Sequence, residues 1–207
     1  WDDNDNQDGV RPAKIKVKIT GTAAGKNISI PDDTQELSGK DQINGKTKLE
    51  YAWENLPKYA YGTEVEYTII ETLEDGSEIS GYTSTSTVSS DGKVITFTNR
   101  KDKETTEVSA KKIWDDNSNQ DGKRPSVTDL KFQLYKQIAD ENGQYSSAPV
   151  AEGDPVSFTV SSSNSNEWQY TWRNLDKKAN GKDIKYTVDE VTTPSEYTKS
   201  ISEDGKT

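Results

Sequence analysis

The sequence predicts an all-β protein made of two tandem copies of one small β-sandwich module. Three observations predict it. A set of motifs occurs twice in the same order, apolar residues alternate with polar ones at a period of two, and Asp-Gly or Asn-Gly pairs punctuate the alternating segments. The first motif, Trp-Asp-Asp-Asn followed by Gln-Asp-Gly and Arg-Pro, stands at 1–12 and returns at 114–125. The second, Trp-x-Asn-Leu leading to Tyr-Thr, stands at 53–68 and returns at 172–187. The third, Ser-x-Asp-Gly-Lys, stands at 89–93 and returns at 202–206. The repeat has the length of an ordinary domain, and it divides the chain into residues 1–102 and 103–207.

The strands follow in chain order. Ile15, Val17 and Ile19 alternate with Lys16 and Lys18, as in a half-buried strand. Val65, Tyr67 and Ile69 alternate with Glu66 and Thr68, and the run from Val94 to Thr98 is rich in β-formers. In the second copy Phe132 and Leu134 alternate with Lys131 and Gln133, and Ile184, Tyr186 and Val188 with Lys185 and Thr187. Turns are expected at Asp8-Gly9, Asp75-Gly76, Asp91-Gly92, Asp121-Gly122, Asn142-Gly143 and Asp204-Gly205. A helix has room only as a short piece, with Asp176–Asn180 the best place for it. The Ser/Thr-rich stretches 83–90 and 157–166 read as edge strands and long hairpin loops. The charged, glycine-free stretch 100–107 reads as a semi-rigid joint. The second copy is lengthened by an insertion over 137–155, either a recognition loop or neutral decoration.

Composition excludes several function classes. With 26 basic against 36 acidic side chains and a net charge of -10, the chain lacks the basic surface that nucleic acid or an anionic membrane requires. No cofactor is implied. There is no Cys and no His, so disulfides, thiolate sites and the usual general base are absent. No apolar run is long enough to cross a membrane, and no leader or sorting signal is legible, as expected of either a mature fragment or an excised piece. Only 29% of residues are hydrophobic, but five Trp and ten Tyr supply the large apolar surface of a thin two-layer core. The Asp/Asn loop 2–9 invites a calcium reading. Its spacing fails the EF-hand pattern, and Ser118 replaces Asp5 in the second copy. Local side-chain to backbone bonds, with Arg11 and Arg124 pairing to a loop Asp, account for it better. No metal site is expected.

Three residues stand out by their faces, and a lysine stands out beside Trp114. Glu71 continues the apolar face of Tyr67 and Ile69, and Glu190 that of Tyr186 and Val188. A carboxylate on an apolar face is a candidate functional acid; the alternative is a rim position at a strand end. Asn99 shares a face with Ile95 and Phe97, the alternative being a turn. Lys112 is a candidate reactive amine, the alternative being a solvated strand lysine like its neighbour Lys111.

These residues sit in motifs that resemble a known family. Lys111-Lys112-Ile113-Trp114-Asp115-Asp116-Asn117 with Asn119–Pro125 resembles the opening of the B-type repeats of the collagen adhesin family of Gram-positive bacteria. Tyr186–Glu190 and Tyr67–Glu71 resemble that family's central strand, and Ile95–Asn99 its closing strand ending in Asn. The resemblance covers nearly the whole chain, twice. It implies two Ig-like, prealbumin-like (CnaB-type) sandwiches. It also implies an autocatalytic isopeptide bond, in which a first-strand Lys attacks a last-strand Asn with a buried acid assisting. On that pattern Lys112 and Asn99 are cross-linking residues, and Glu71 and Glu190 are assisting acids. The lysine expected before Trp1 and the asparagine expected after Thr207 lie outside the sequence, so the chain reads as a window from a longer repeat array. The first copy would then lack its first strand and the second its last. The function implied is a stalk or spacer in a cell-wall-anchored adhesin on the cell surface. Its partners would be neighbouring repeats, with a host matrix protein held through another domain. The alternatives are a host-matrix-binding module and a pilus shaft subunit. A bond made once per domain is not enzymatic turnover.

Overall fold

The computed structural model describes residues 1–38, 42–43, 46–47 and 49–202, and every regular element among them is a β-strand. The chain separates into two compact units, Trp1–Lys103 and Glu104–Thr207.

Unit 1 contains β1 (Lys14–Ala23), β2 (Lys26–Ile28), β3 (Thr34–Ser38), β4 (Gln42–Ile43), β5 (Lys46–Thr47), β6 (Tyr59–Ala60), β7 (Thr63–Glu64), β8 (Glu66–Thr72), β9 (Thr83–Val88) and β10 (Ile95–Arg100). β1 is the centre of the main sheet. β8 pairs along one edge with Val17 opposite Glu71, and β2 and β3 share the other. The alternation legible in the sequence is what β1 uses: Ile15, Val17, Ile19 and Ala23 point into the core. Gly21 continues that face, where a Cβ would stand 2.7 Å from Ile28 Cγ1 and 3.0 Å from the Tyr67 ring. Only glycine lets β2 and Tyr67 approach so closely. The second sheet is the β9–β10 hairpin, which places Asn99 opposite Ser84.

Unit 2 contains β11 (Thr105–Ile113), β12 (Phe132–Ile138), β13 (Val150–Val156), β14 (Thr159–Val160), β15 (Glu167–Asp176), β16 (Lys178–Ala179) and β17 (Lys182–Glu190). They form two sheets, β11–β15–β14 and β13–β12–β17–β16. One cluster fills the space between: Val108 and Ala110 from β11, Phe132 and Leu134 from β12, Trp168 from β15, and Tyr186 and Val188 from β17. Phe132 stacks on Phe158 with centroids 3.7 Å apart, and Trp114 meets Trp168 edge-on at 5.1 Å. Each large side chain so buried stabilises the unit by about 1.5–3 kcal/mol, which is how an apolar-poor sequence holds a core.

Three expectations need correction. Asp176–Asn180 is not helical: β15 runs through Asp176, and a hairpin joins β16 to β17. Its two-residue turn, Asn180-Gly181, takes φ of 50° and 80°, the left-handed pair that Asn-Gly favours in a tight hairpin. Gln133 does not alternate outward. It is 7% exposed, and its Nε2 donates to the carbonyls of Leu134, Glu152 and Gly153 at 2.8–3.2 Å. The cause is a register shift between Phe132 and Leu134 in the pairing with β13, because a bulge frees carbonyls that an amide can satisfy. The joint is shorter than 100–107: β10 ends at Arg100 and β11 begins at Thr105.

The insertion 137–155 folds as a hairpin arm from β12 to β13, its turn closed by Asp140 Oδ1 accepting the amides of Asn142 and Gln144 at 2.9 Å. Gly9, Gly76, Gly92, Gly122 and Gly143 have positive φ at the expected turns. Asp204-Gly205 lies outside the described residues.

Candidate functional site

Each unit buries one strand-borne carboxylate against one candidate cross-linking side chain. In unit 1 Glu71 lies on β8, on the inward face with Tyr67 and Ile69. Asn99, on β10, is 3% exposed. Its Nδ2 donates to Glu71 Oε2 at 2.9 Å, and its Oδ1 accepts from Ser84 Oγ at 2.5 Å. The amide is thus held from both ends. Burial pushes the Glu71 carboxyl above its ordinary value, and the Asn99 bond only partly opposes this.

In unit 2 Lys112 shares the inward face of β11 with Val108 and Ala110, while Lys111 points out and pairs with Glu167 at 2.9 Å. Lys112 Nζ donates to Glu190 Oε1 at 2.6 Å, the two side chains being 16% and 5% exposed. The ammonium also lies 4.6 Å from the Trp114 ring centroid, a favourable cation–π placement. Among the described residues Glu190 Oε2 and Trp114 Nε1 are buried without a hydrogen-bond partner. Both belong to residues lining a groove of about 840 Å³ walled by β11, β17 and residues 196–202. Among the described residues β11 has a ladder partner on one edge only, β15.

The two sites share a frame. Arg11 Nε donates to Asp3 Oδ2 at 2.9 Å, and Arg124 Nε to Asp116 Oδ2 at 2.9 Å; the second guanidinium nitrogen of each takes the other oxygen. Tyr82 donates to Asp3 Oδ2 at 2.9 Å and Tyr197 to Asp116 Oδ2 at 3.1 Å. The amides of Arg11 and Arg124 both donate to a loop Asn at 2.9 Å. Trp1 meets Tyr82 edge-on, as Trp114 meets Tyr197. Asp116 is held down to about 2, first by the Arg124 hydrogen bonds. For Asp3 burial acts upward, but Arg11, the Asn6 amide and Tyr82 together hold the carboxyl below its ordinary value. The Asp/Asn loops are therefore arginine-clamped caps, and in unit 2 the Trp beside the loop faces Lys112.

All four residues singled out in the sequence lie on inward faces, Asn99 beside Glu71 and Lys112 beside Glu190. The sequence reading missed Ser84, Tyr82 and Tyr197. The two tyrosines carried a signal, since each follows its copy's Trp by a similar distance. Ser84 carried none, standing in a run of alternating Ser and Thr. A further miss is Lys101, whose Nζ donates to Asp8 Oδ2 at 2.7 Å.

Fold and site together define a tandem β-sandwich repeat protein with an acid-centred polar site buried in each repeat. The chain belongs to the family of the Cna protein B-type domain, whose model matches residues 1–100 and 108–207. It is similar to a collagen adhesin of Staphylococcus aureus, with 36% identity over 201 residues, covering 97% of this chain and 14% of that protein. It is also similar to the crystal structure of two B repeat units (B1B2) of the collagen binding protein of S. aureus. There the TM-score is 0.63 and the identity 33%, over 93% of this chain and 43% of that one. The chain thus spans a small part of the relatives' length.

Proposed function

We propose that the two units are spacer repeats in the stalk of a cell-wall-anchored adhesin of a Gram-positive bacterium, each closed by a Lys–Asn isopeptide bond. On this reading residues 1–102 carry the closing strand of one module and 103–207 the opening strand of the next.

One observation carries the reading. Glu71 and Glu190 occupy equivalent positions, each four residues beyond a tyrosine whose hydroxyl donates to a backbone carbonyl ten residues upstream, Pro57 for Tyr67 and Asp176 for Tyr186. Glu71 faces an amide and Glu190 an ammonium. A module with both strands would set amine and amide on one carboxyl. The parallel bridge of Asp2 to Arg100, with Asp2 N donating to Asn99 O at 2.8 Å, supports a first strand lying alongside β10.

The chemistry follows from that placement. A proton passes from Lys Nζ to the carboxylate, leaving a neutral amine and an acid. The amine adds to Cγ of the Asn amide, whose oxygen becomes an oxyanion. The second amine proton reaches the departing nitrogen, the C–N bond to it breaks, and ammonia leaves. The products are one secondary amide and a protonated carboxyl. Folding supplies the proximity, and burial of the acid and the amide limits their contact with water. The bond carries tension between first and last strands that sheet hydrogen bonds alone would otherwise bear. It forms once per module, so the role is structural and not that of an enzyme.

Intact-mass measurement on a longer array tests this. The expected mass is short of the sequence mass by one ammonia per complete module. A mass equal to the sequence mass contradicts the cross-link.

A further inference from the structure

Among the described residues Ser84 alone hydrogen-bonds the reacting oxygen of Asn99, and it has no place in the Lys–Asn–acid scheme. It sits on β9 directly across from Asn99 on β10, so the two side chains share a face. Its Oγ donates to Asn99 Oδ1 at 2.5 Å, while Asn99 Nδ2 donates to Glu71 Oε2 at 2.9 Å. The amide has two flips, and this pair of contacts selects one. The nitrogen lies against the acid and the oxygen against the hydroxyl.

We propose that Ser84 is a catalytic donor of the unit 1 site. It orients the Asn99 amide and stabilises the negative charge that gathers on Oδ1 when an amine adds to Cγ. The inference rests on the cross-linking role proposed above and divides the labour within it. Glu71 handles protons on the nitrogen side, taking one from the amine and relaying one to the departing ammonia. Ser84 serves the oxygen side, giving no proton away and returning to a neutral hydrogen bond when the oxyanion collapses. A donor already aimed at the oxygen needs no reorganisation as charge develops.

The fold does not demand a serine there. Counting two residues on from the frame tyrosine gives Ser84 after Tyr82 and Lys199 after Tyr197. Lys199 reaches β17 instead, its Nζ donating to Asp189 Oδ1 at 2.6 Å, and both residues line the groove beside Glu190. The repeat therefore does not fix a serine at this position, and what sets Ser84 apart in unit 1 is its contact with Asn99. Ser84 is itself exposed, so trimming it to alanine opens no cavity.

The test extends the full chain ahead of Trp1 with the sequence of β11, residues 105–113, so that a lysine stands two residues before Trp1 as Lys112 does before Trp114. Loss of one ammonia is followed by mass after dilution from denaturant. The extended parent is expected to lose one ammonia, and Glu71→Gln to lose none. Ser84→Ala is expected to slow the loss on the order of 100-fold, as removal of one oxyanion donor does elsewhere. Ser84→Thr, which keeps the hydroxyl, is expected to recover most of the rate. Thermal melting of the unextended chain with Ser84→Ala, expected to fall somewhat but to stay well above the refolding temperature, separates chemistry from folding. Parental rate in Ser84→Ala, or equal slowing by Ala and Thr, overturns the role of Ser84 and leaves the cross-link standing. No ammonia loss from the extended parent overturns both.

Discussion

The carboxylates of the two units stand at the same place in the same strand and meet opposite company. Glu190 faces a lysine ammonium, a charge that offsets its own, whereas Glu71 faces a neutral amide and is pushed up by burial. The loops around them scarcely differ: Asp, Arg, Asn, Trp and Tyr repeat contact for contact. The difference therefore lies in which strand flanks the acid. The clamped loop and the acid form a constant frame, to which β10 brings the amide in unit 1 and β11 the ammonium in unit 2.

The largest effect expected is on the ion pair. Lys112→Met leaves Glu190 buried without its partner and should cost about 3–5 kcal/mol in denaturant unfolding. The double variant Lys112→Met, Glu190→Leu should recover most of that loss. In unit 1 Glu71→Gln keeps an acceptor for Asn99 Nδ2, so its effect at neutral pH should stay under about 1 kcal/mol. Equal losses in the two units would break the comparison.

The frame should respond alike in both units. Arg11→Ala and Arg124→Ala each remove bidentate bonds to a largely buried Asp, and each should cost about 2 kcal/mol. A large difference between them, measured by denaturant midpoints, would show that the shared contacts do not carry shared energy.

The smallest effect is one of pH, and its sign differs between the groups. The folded pKa of Glu71 lies above its ordinary 4.5. The folded state then binds the proton more tightly, so this group's contribution is most favourable below 4.5 and is lost as pH rises through the raised folded value. Asp116 runs the other way: its contribution is complete above 3.8 and is lost as pH falls towards about 2. Unfolding midpoints of the parent minus those of Glu71→Gln should therefore fall with rising pH above 4.5. A flat difference would mean that Glu71 is not held up by burial.

Much of this was legible because it is local. Ile15, Val17 and Ile19 announce their face by period two, and the same counting turns Glu71, Glu190 and Asn99 inward. Lys112 was marked by motif, and its companions Val108 and Ala110 confirm its face. What escaped depends on partners far along the chain. Ser84 meets Asn99 only because β9 and β10 pair in one register. Gln133 turns inward only because a bulge in the β13 pairing frees three carbonyls. Asn180-Gly181 is a tight-turn pair legible in the sequence, and it sets a hairpin where a short helix is expected.

The central claim is that one buried acid serves an amine from the first strand and an amide from the last. The most direct measurement is electron density in a crystal of a module carrying both strands, at the Nζ of its Lys112 equivalent and the Cγ of its Asn99 equivalent. Continuous density at amide-bond length, with the acid beside it, is the result predicted. A clear gap between two ordered side chains would contradict it.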